Sequence, residues 1–160
     1  MASAPFTTCL WFDDQAEEAA RFYTSVFKDS SLGPVTRFTE AGPGEQGTVM
    51  IVQFELNGQR FIALNGGPMF TPNESVSVMV PCADQAEIDY YWDALTADGG
   101  QESECGWLKD KYGYSWQIVP GRLFEMLGDS DQARRTRVSK AVYSMRKLDL
   151  AALERVYASE

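Results

Sequence analysis

Asp14-Gln15-Ala16-Glu17 and Asp84-Gln85-Ala86-Glu87 are the same tetrapeptide, repeated at an offset of 84 − 14 = 70 residues. An aspartate can accept hydrogen bonds from the free N–H groups of a helix's first turn, and a glutamate three residues later can reach back, so each tetrapeptide predicts a capped helix start. Apolar residues then recur at three- and four-residue steps, which predicts one buried helix face in each half: Ala19, Phe22, Tyr23, Val26 and Phe27, then Ile88, Tyr91, Trp92 and Leu95. The chain therefore contains an internal repeat.

Short segments rich in β-forming residues surround both helices. Residues 7–12 and 75–80 precede them, and the second segment alternates valine with serine or methionine, as expected of a strand with two different faces. Three further strands are predicted after each helix: 35–39, 48–56 and 60–65, then 101–105, 107–111 and 114–119. Asn57-Gly58 is a strong hairpin signal within the first set. Each half is thus predicted as strand, helix, strand, strand, strand.

The breaker-rich residues 66–74 separate the two halves. We predict one domain of residues 1–160 in the α+β class, with module one at 5–65, the linker at 66–74 and module two at 75–119. A C-terminal helical tail is predicted at 120–160, because apolar residues recur at helical spacing from Val138 to Met145 and from Leu150 to Tyr157.

Composition excludes several classes of function. The 160 residues include no histidine, so histidine-based catalytic pairs and metal sites are excluded, and the net charge of −9 opposes nucleic-acid binding. Apolar runs are too short to span a membrane, and the N-terminal residues have no signal-peptide pattern, so a cytoplasmic location is expected. Cys9, Cys82 and Cys105 match neither a disulfide framework nor a CxxC metal site and are expected to be reduced thiols.

The tail carries an unusual share of the positive charge. Residues 134–160 hold three acidic residues and seven of the 14 basic residues: Arg134, Arg135, Arg137, Lys140, Arg146, Lys147 and Arg155. We expect this tail to dock on the chain's own acidic body or on a second subunit. Binding to nucleic acid is disfavoured because the rest of the molecule would repel it.

The two repeated modules, taken with several local motifs, resemble the PhnB-like family of the vicinal oxygen chelate superfamily, which has glyoxalase, bleomycin-resistance and dioxygenase folds. The similar motifs are Leu10-Trp11-Phe12-Asp13, residues 17–27, Leu64-Asn65-Gly66-Gly67, residues 116–120 and residues 147–153. The resemblance implies two tandem βαβββ modules that form curved mixed sheets around a cavity. It also implies a homodimer.

In metal-using relatives four ligands project into the cavity, one from the first and one from the last strand of each module. Carried onto this chain, the resemblance places those positions at Thr7, Ser77, Ala63 or Asn65, and Gln117. Hydroxyl and carboxamide groups bring no formal negative charge, whereas zinc, nickel and hard cations favour imidazole, thiolate or carboxylate. We therefore expect no bound metal and no cofactor.

A cavity lined by aromatic rings with a few polar groups suits a small organic ligand. The candidate ligand-binding residues are Thr7, Cys9, Trp11, Asn65, Ser75, Ser77, Met79, Trp107 and Gln117. The leading hypothesis is a metal-free protein that binds a small molecule.

The alternative hypothesis is a metal-independent isomerase or lyase acting on a small oxygenated substrate. Its candidate acids and bases are Asp13, Glu55, Lys109, Asp110 and Tyr112, and the sequence does not decide whether the protein is an enzyme. Some members of the family are labelled 3-demethylubiquinone 3-methyltransferase. Methyl transfer is disfavoured because no glycine-rich loop joins a predicted strand to a helix start.

Overall fold

The structure is a computed structural model that describes residues 6–159. The chain divides into two compact units, Met1–Pro72 and Asn73–Glu160. The boundary lies inside the segment predicted as the linker between the modules. No helix in the described range is long and apolar enough to cross a membrane.

The first unit is one mixed sheet with a helix packed on it. Its elements are β1 (Thr8–Phe12), α1 (Ala16–Val26), β2 (Ser30–Arg37), β3 (Val49–Leu56) and β4 (Gln59–Asn65). The strand order is β1-β4-β3-β2, with β1 and β4 parallel and the other pairs antiparallel. Alternate strand residues are buried together with the apolar face of α1: Leu10, Phe12, Val52, Phe54, Phe61 and Ala63, with Ala19, Tyr23 and Val26.

The second unit repeats this arrangement. Its elements are β5 (Ser77–Cys82), α2 (Gln85–Thr96), a 3₁₀ turn (Ala97–Gly99), β6 (Gln101–Glu102), β7 (Trp107–Lys109) and β8 (Ser115–Pro120). The order β5-β8-β7-β6, with β5 and β8 parallel, matches the first sheet strand for strand. The predicted duplication of a βαβββ module is therefore confirmed.

Several strand boundaries differ from the prediction, and β2, β5 and β6 are described here. β2 begins at Ser30, because its pairing with β3 continues on both sides of a register shift between Leu32 and Val35. β6 has only two residues. β5 begins at Ser77, and Ser75 lies before it in a turn in which the Ser75 hydroxyl donates to Asn73 Oδ1 at 2.5 Å.

The two helices begin differently, although their sequences match. Asp84 caps α2 as predicted, accepting the Glu87 N–H at 2.9 Å. The prediction that Asp14 caps α1 is wrong: Gln15 holds the cap position without a side-chain bond, and Asn65 Oδ1 accepts the Ala16 N–H at 2.8 Å.

The strand register explains this difference between the two helix starts. Phe12 pairs with Asn65, whereas Cys82 pairs with Pro120. Proline has no side-chain acceptor, so the second module must supply its own cap.

The tail forms three helices that pack within the second unit: α3 (Leu123–Leu127), α4 (Gln132–Tyr143) and α5 (Leu150–Ala158). Their apolar residues form a buried cluster with Val119: Leu123, Met126, Val138, Val142, Leu148 and Leu153. Lys147 lies 3.1 Å from both Asp89 and Asp93 on α2. The expected docking of the basic tail on acidic parts of its own chain is thus confirmed at Lys147.

Candidate functional site

Each sheet has one face covered by its helix and one face that the helix leaves open. In β1, Leu10 and Phe12 are buried on the helix side, while Cys9 is exposed and Trp11 half-buried on the other side. In β8, Trp116 and Ile118 are buried on the helix side, and Gln117 lies on the open side. Because successive strand side chains alternate between faces, the open faces carry most of the residues predicted to bind a ligand.

Four predicted residues share the open face of the second sheet. Met79 and Trp107 both pair with Gln117 in the register of their strands, and Ser77 lies two residues before Met79. Gln117 Nε2 donates to Ser77 Oγ at 2.8 Å. The structure therefore brings together the two positions that the resemblance assigned to this module as ligand slots.

The slot in β4 was predicted at Ala63 or Asn65, and this placement is wrong. Ala63 is fully buried on the helix side, and Asn65 uses its amide to bond Ala16 N and Val49 O. Cys9 and Met79 are equivalent residues, because they are separated by the repeat offset of 70. Cys9 pairs with Ile62 and Met79 pairs with Gln117, so Ile62 is the counterpart of Gln117 in the first module. A displacement of one residue along a strand moves a side chain to the other face.

The donors at these positions do not fit a metal ion. Ser77 and Gln117 offer a hydroxyl and an amide that already bond to each other, and Ile62 offers no donor atom. Transition metals favour imidazole, thiolate and carboxylate ligands. In residues 6–159, no three His, Cys, Asp or Glu side chains lie close enough together to hold an ion.

The first unit contains a cleft of about 740 Å³. It lies beside the end of β1, the start of α1 and the connection between β2 and β3. Its apolar lining consists of Trp11, Phe38, Pro43, Val49, Met50 and Leu64. This volume is in the range of small-molecule sites, roughly 300–1,000 Å³.

Trp11 is held in one orientation at this cleft. Its indole Nε1 donates to the Gly67 carbonyl at 2.8 Å, and Phe70 approaches its ring edge-on at 5.0 Å between centroids. A Cβ on Gly66 would lie 2.2 Å from the indole, so only glycine permits this approach. The fixed indole ring therefore presents an aromatic surface to the cleft, and its N–H group is already hydrogen-bonded.

Phe38 supplies the other aromatic part of the lining. The glycine-rich connection after β2 folds over it, since a Cβ on Gly44 would lie 2.5 Å from the Phe38 ring. Phe38 lies within the predicted strand 35–39 and is not among the predicted ligand-binding residues. An aromatic residue four positions before Gly42-Pro43-Gly44 was the available signal.

Three carboxylates border the same cleft: Asp13, Asp14 and Glu17. Glu17 pairs with Arg21 at 2.6 Å. Asp13 and Asp14 are exposed, and Asp14 does not serve as the helix cap. Asp13 is the only residue from the list of candidate acids and bases that lies in this cleft.

Asp110 is fully engaged as a structural residue. It is 3% exposed; Oδ1 accepts the backbone N–H groups of Tyr112 and Tyr114, and Oδ2 accepts the Trp116 indole N–H at 2.8 Å. This pattern holds the turn between β7 and β8, so all the contacts of the Asp110 carboxylate described here are structural.

Of the predicted ligand-binding residues in the first unit, Trp11 and Asn65 line this cleft. Thr7, Cys9 and Ser75 do not belong to its lining. Thr7 is exposed immediately before β1, and Ser75 is exposed in the turn before β5. Cys9 is exposed, and partial burial of its thiol raises its pKa. Cys82 is 1% exposed, and burial, followed by the charges of Glu87 and Asp84, raises the pKa of its thiol to about 12.

Comparison with known structures identifies the fold. A PhnB protein from Bacillus cereus is 38% identical, with 73% of this chain and 99% of that chain covered and a TM-score of 0.64. Protein PA1353 from Pseudomonas aeruginosa is 18% identical over 71% of this chain and 95% of that one, with a TM-score of 0.60.

A more distant structure shares the fold. The fosfomycin resistance protein FosX from Mesorhizobium loti is 15% identical, with 81% of this chain and 100% of that chain covered and a TM-score of 0.57. The FosX structure from Listeria monocytogenes contains Mn(II) and sulfate. No curated protein is significantly similar in sequence.

A family model described as 3-demethylubiquinone-9 3-methyltransferase matches residues 4–119, which include both βαβββ modules. Together with the identity to the Bacillus cereus protein, this match establishes the relationship. The chain belongs to the PhnB-like, 3-demethylubiquinone-9 3-methyltransferase family of the vicinal oxygen chelate superfamily.

Proposed function

We propose that the chain binds a small, largely apolar organic molecule in the cleft of its first unit, without a metal ion. The observation that carries the proposal is the fixed Trp11 indole, which with Phe38 and Leu64 gives this cleft of about 740 Å³ an apolar lining. Burial of ligand surface against such side chains supplies affinity, and a few polar groups orient the ligand. The exposed carboxylates of Asp13 and Asp14 are available for that second role.

A neutral fluorescent probe, N-phenyl-1-naphthylamine, tests the cleft. Its emission should rise on binding to the wild-type protein, and Trp11→Ala should weaken binding about tenfold, because a large buried aromatic contact is lost. Trp107→Ala is the matched control, since Trp107 does not line this cleft. Equal binding by the two variants would contradict the proposal.

The metal-free part of the proposal has its own test. Calorimetric titration of the untagged protein with manganese(II) chloride should show no stoichiometric binding, because the four slot positions carry two hydroxyls, an amide and an apolar side chain. Saturable binding of one ion per chain would refute it.

The resemblance to the family also supports a homodimer in solution, which sedimentation can measure.

The family's label makes methyl transfer the activity to test first. S-adenosylmethionine is commonly held by a glycine-rich turn between a strand and a helix, whereas β1 is joined to α1 by Asp13-Asp14-Gln15 and β5 to α2 by Ala83-Asp84. We therefore expect no calorimetric signal with S-adenosylmethionine. Binding at micromolar affinity would favour the methyltransferase over the binding protein.

The alternative is a metal-independent isomerase or lyase, and it is favoured by one observation, the position of Asp13 at the cleft. Proton transfer requires a group within hydrogen-bond reach of the substrate. Under this hypothesis Asp13→Asn abolishes turnover of a substrate that still binds. Under the binding hypothesis it alters only the affinity.

A further inference from the structure

The second unit contains a separate small pocket of about 120 Å³, bordered by Glu74, Gln101, Lys109 and Ser115. One water molecule needs roughly 15 Å³ of cavity volume measured in this way, so the pocket has room for a small organic acid. It consists only of residues from this unit and is independent of the cleft around Trp11.

Ser115 is the unusual residue in this pocket. It is 2% exposed, and its hydroxyl is buried without a hydrogen-bond partner in the described structure. Buried hydroxyl groups are almost always paired, because an unpaired one loses its bonds to water and gains nothing in return. An unpaired hydroxyl at the edge of a pocket therefore points to an occupant that bonds to it.

The strand register places a positive charge beside that hydroxyl. Lys109 pairs with Ser115 across β7 and β8, and Gln101 pairs with Lys109 across β6 and β7. Residues paired in this way project their side chains from the same face of the sheet. An ammonium, an amide and a hydroxyl thus lie on one side of neighbouring strands.

Glu74 and Glu102 are the acidic residues of the pocket, and they would not repel a bound anion equally. Glu102 pairs with Leu108 on the other face, where its carboxylate accepts the Trp92 indole N–H at 2.9 Å. Glu74 forms an ion pair with Lys109, and this hydrogen bond lowers the pKa of its carboxyl. The Glu74 side chain is 61% exposed, and exposed ion pairs contribute little free energy, so this carboxylate is readily exchanged.

We propose that this pocket is a binding site for a small carboxylate, which replaces the Glu74 carboxylate on Lys109 and accepts a hydrogen bond from the Ser115 hydroxyl. Glu74 then acts as an internal competitor that occupies the ammonium when no ligand is present. A bound carboxylate would give the Ser115 hydroxyl a hydrogen-bond partner. It would form an ion pair with Lys109, which already pairs with the Glu74 carboxylate.

The experiment is an NMR titration of the ¹⁵N-labelled full chain with sodium acetate, using sodium chloride at equal ionic strength as the reference. Acetate should cause saturable shifts of the amide signals of Gln101, Lys109 and Ser115. Methylammonium chloride, a cation of similar size, should cause none. Shifts no larger than those in chloride would overturn the proposal.

Three variants distinguish the proposed contacts. Glu74→Gln should tighten acetate binding about two- to fivefold, because it removes the competing carboxylate. Ser115→Ala should weaken it about tenfold, since one hydrogen bond to a charged group is lost. Lys109→Met should remove the saturable shifts.

Matched controls make the outcome decisive. Lys111→Met and Glu104→Gln change the same charges on nearby residues outside the pocket and should leave acetate binding unchanged. Weaker binding by Glu74→Gln, or undiminished binding by Lys109→Met, would contradict the proposed site. Because Glu74 is exposed and lies before β5, its variant tests the idea even if a strand variant fails to fold.

Discussion

Gln117 and Ser77 are joined by a hydrogen bond of 2.8 Å across the parallel pair β5 and β8, at the two positions of this module that the family resemblance predicts as ligand slots. A double-mutant cycle should show this coupling. We expect Gln117→Ala and Ser77→Ala each to lower the free energy of unfolding by about 1 kcal/mol. The loss in the double variant should be about 0.5–1 kcal/mol smaller than the sum of the two single losses, because the same hydrogen bond is removed in each. Urea unfolding measures these values. Strict additivity would show that the bond contributes nothing.

Asn65 rather than Asp14 should stabilise the start of α1. Asn65→Ala should cost about 1–2 kcal/mol, because it leaves the Ala16 N–H and the Val49 carbonyl without partners. Asp14→Ala should change stability by less than about 0.5 kcal/mol, as an exposed position without a capping bond does. Asp84→Ala is the positive control for a working cap, at about 1 kcal/mol. A larger loss for Asp14→Ala than for Asn65→Ala would contradict the structure.

Asp110 should be required for folding of the second unit rather than for chemistry. Asp110→Ala leaves three donors unsatisfied, two backbone N–H groups and the Trp116 indole, so we expect a loss of at least about 3 kcal/mol in the free energy of unfolding. Asp110→Asn keeps an acceptor oxygen and should lose less. Equal losses for the two variants, measured in urea, would show that the charge alone matters.

Gln85, the first residue of α2, should hold the tail against that helix. Its amide donates to the Leu148 carbonyl at 3.2 Å and accepts the Leu150 N–H at 2.9 Å. Gln85→Ala should therefore speed limited proteolysis between α4 and α5, and Lys147→Met should add to the effect by removing the pairs with Asp89 and Asp93. Gln101→Ala, at an exposed position away from the tail, is the control. Unchanged cleavage in both tail variants would refute this role.

Two of the three thiols, those of Cys9 and Cys82, should differ in reactivity. Thiolates react with iodoacetamide, so exposed Cys9 should be alkylated faster than Cys82, which is buried and has a pKa of about 12. Mass spectrometry at pH 8 measures the order, and in urea the difference should disappear.

The raised pKa of the Cys82 thiol also predicts that the free energy of unfolding depends on pH. An unfolded thiol ionises near pH 8.5, below the folded value of about 12, so this group favours folding below about pH 8.5. Its contribution is lost as the pH rises towards 12. Cys82→Ala should therefore flatten the fall in unfolding free energy above pH 9. An unchanged slope would contradict the shift.

Much of the architecture could be predicted from local pattern. The repeated Asp-Gln-Ala-Glu tetrapeptide and the apolar spacing after it located both helices, because the sequence spacing alone sets which residues share a helix face. The alternation in the strand segments placed Cys9 and Met79 on the side away from the helices, and the structure places them there. The same periodicity predicted α4 and α5 of the tail, but not the short helix α3.

The sequence by itself determined the duplication, the helices and the absence of imidazole. Only the tertiary structure decided that Asn65 caps α1, that Ile62 rather than Ala63 or Asn65 is the counterpart of Gln117, and that Phe38 lines a cleft with Trp11. These three facts depend on strand register and on how a long connection folds. Both arise from contacts between residues distant in the chain, and local spacing does not encode those contacts.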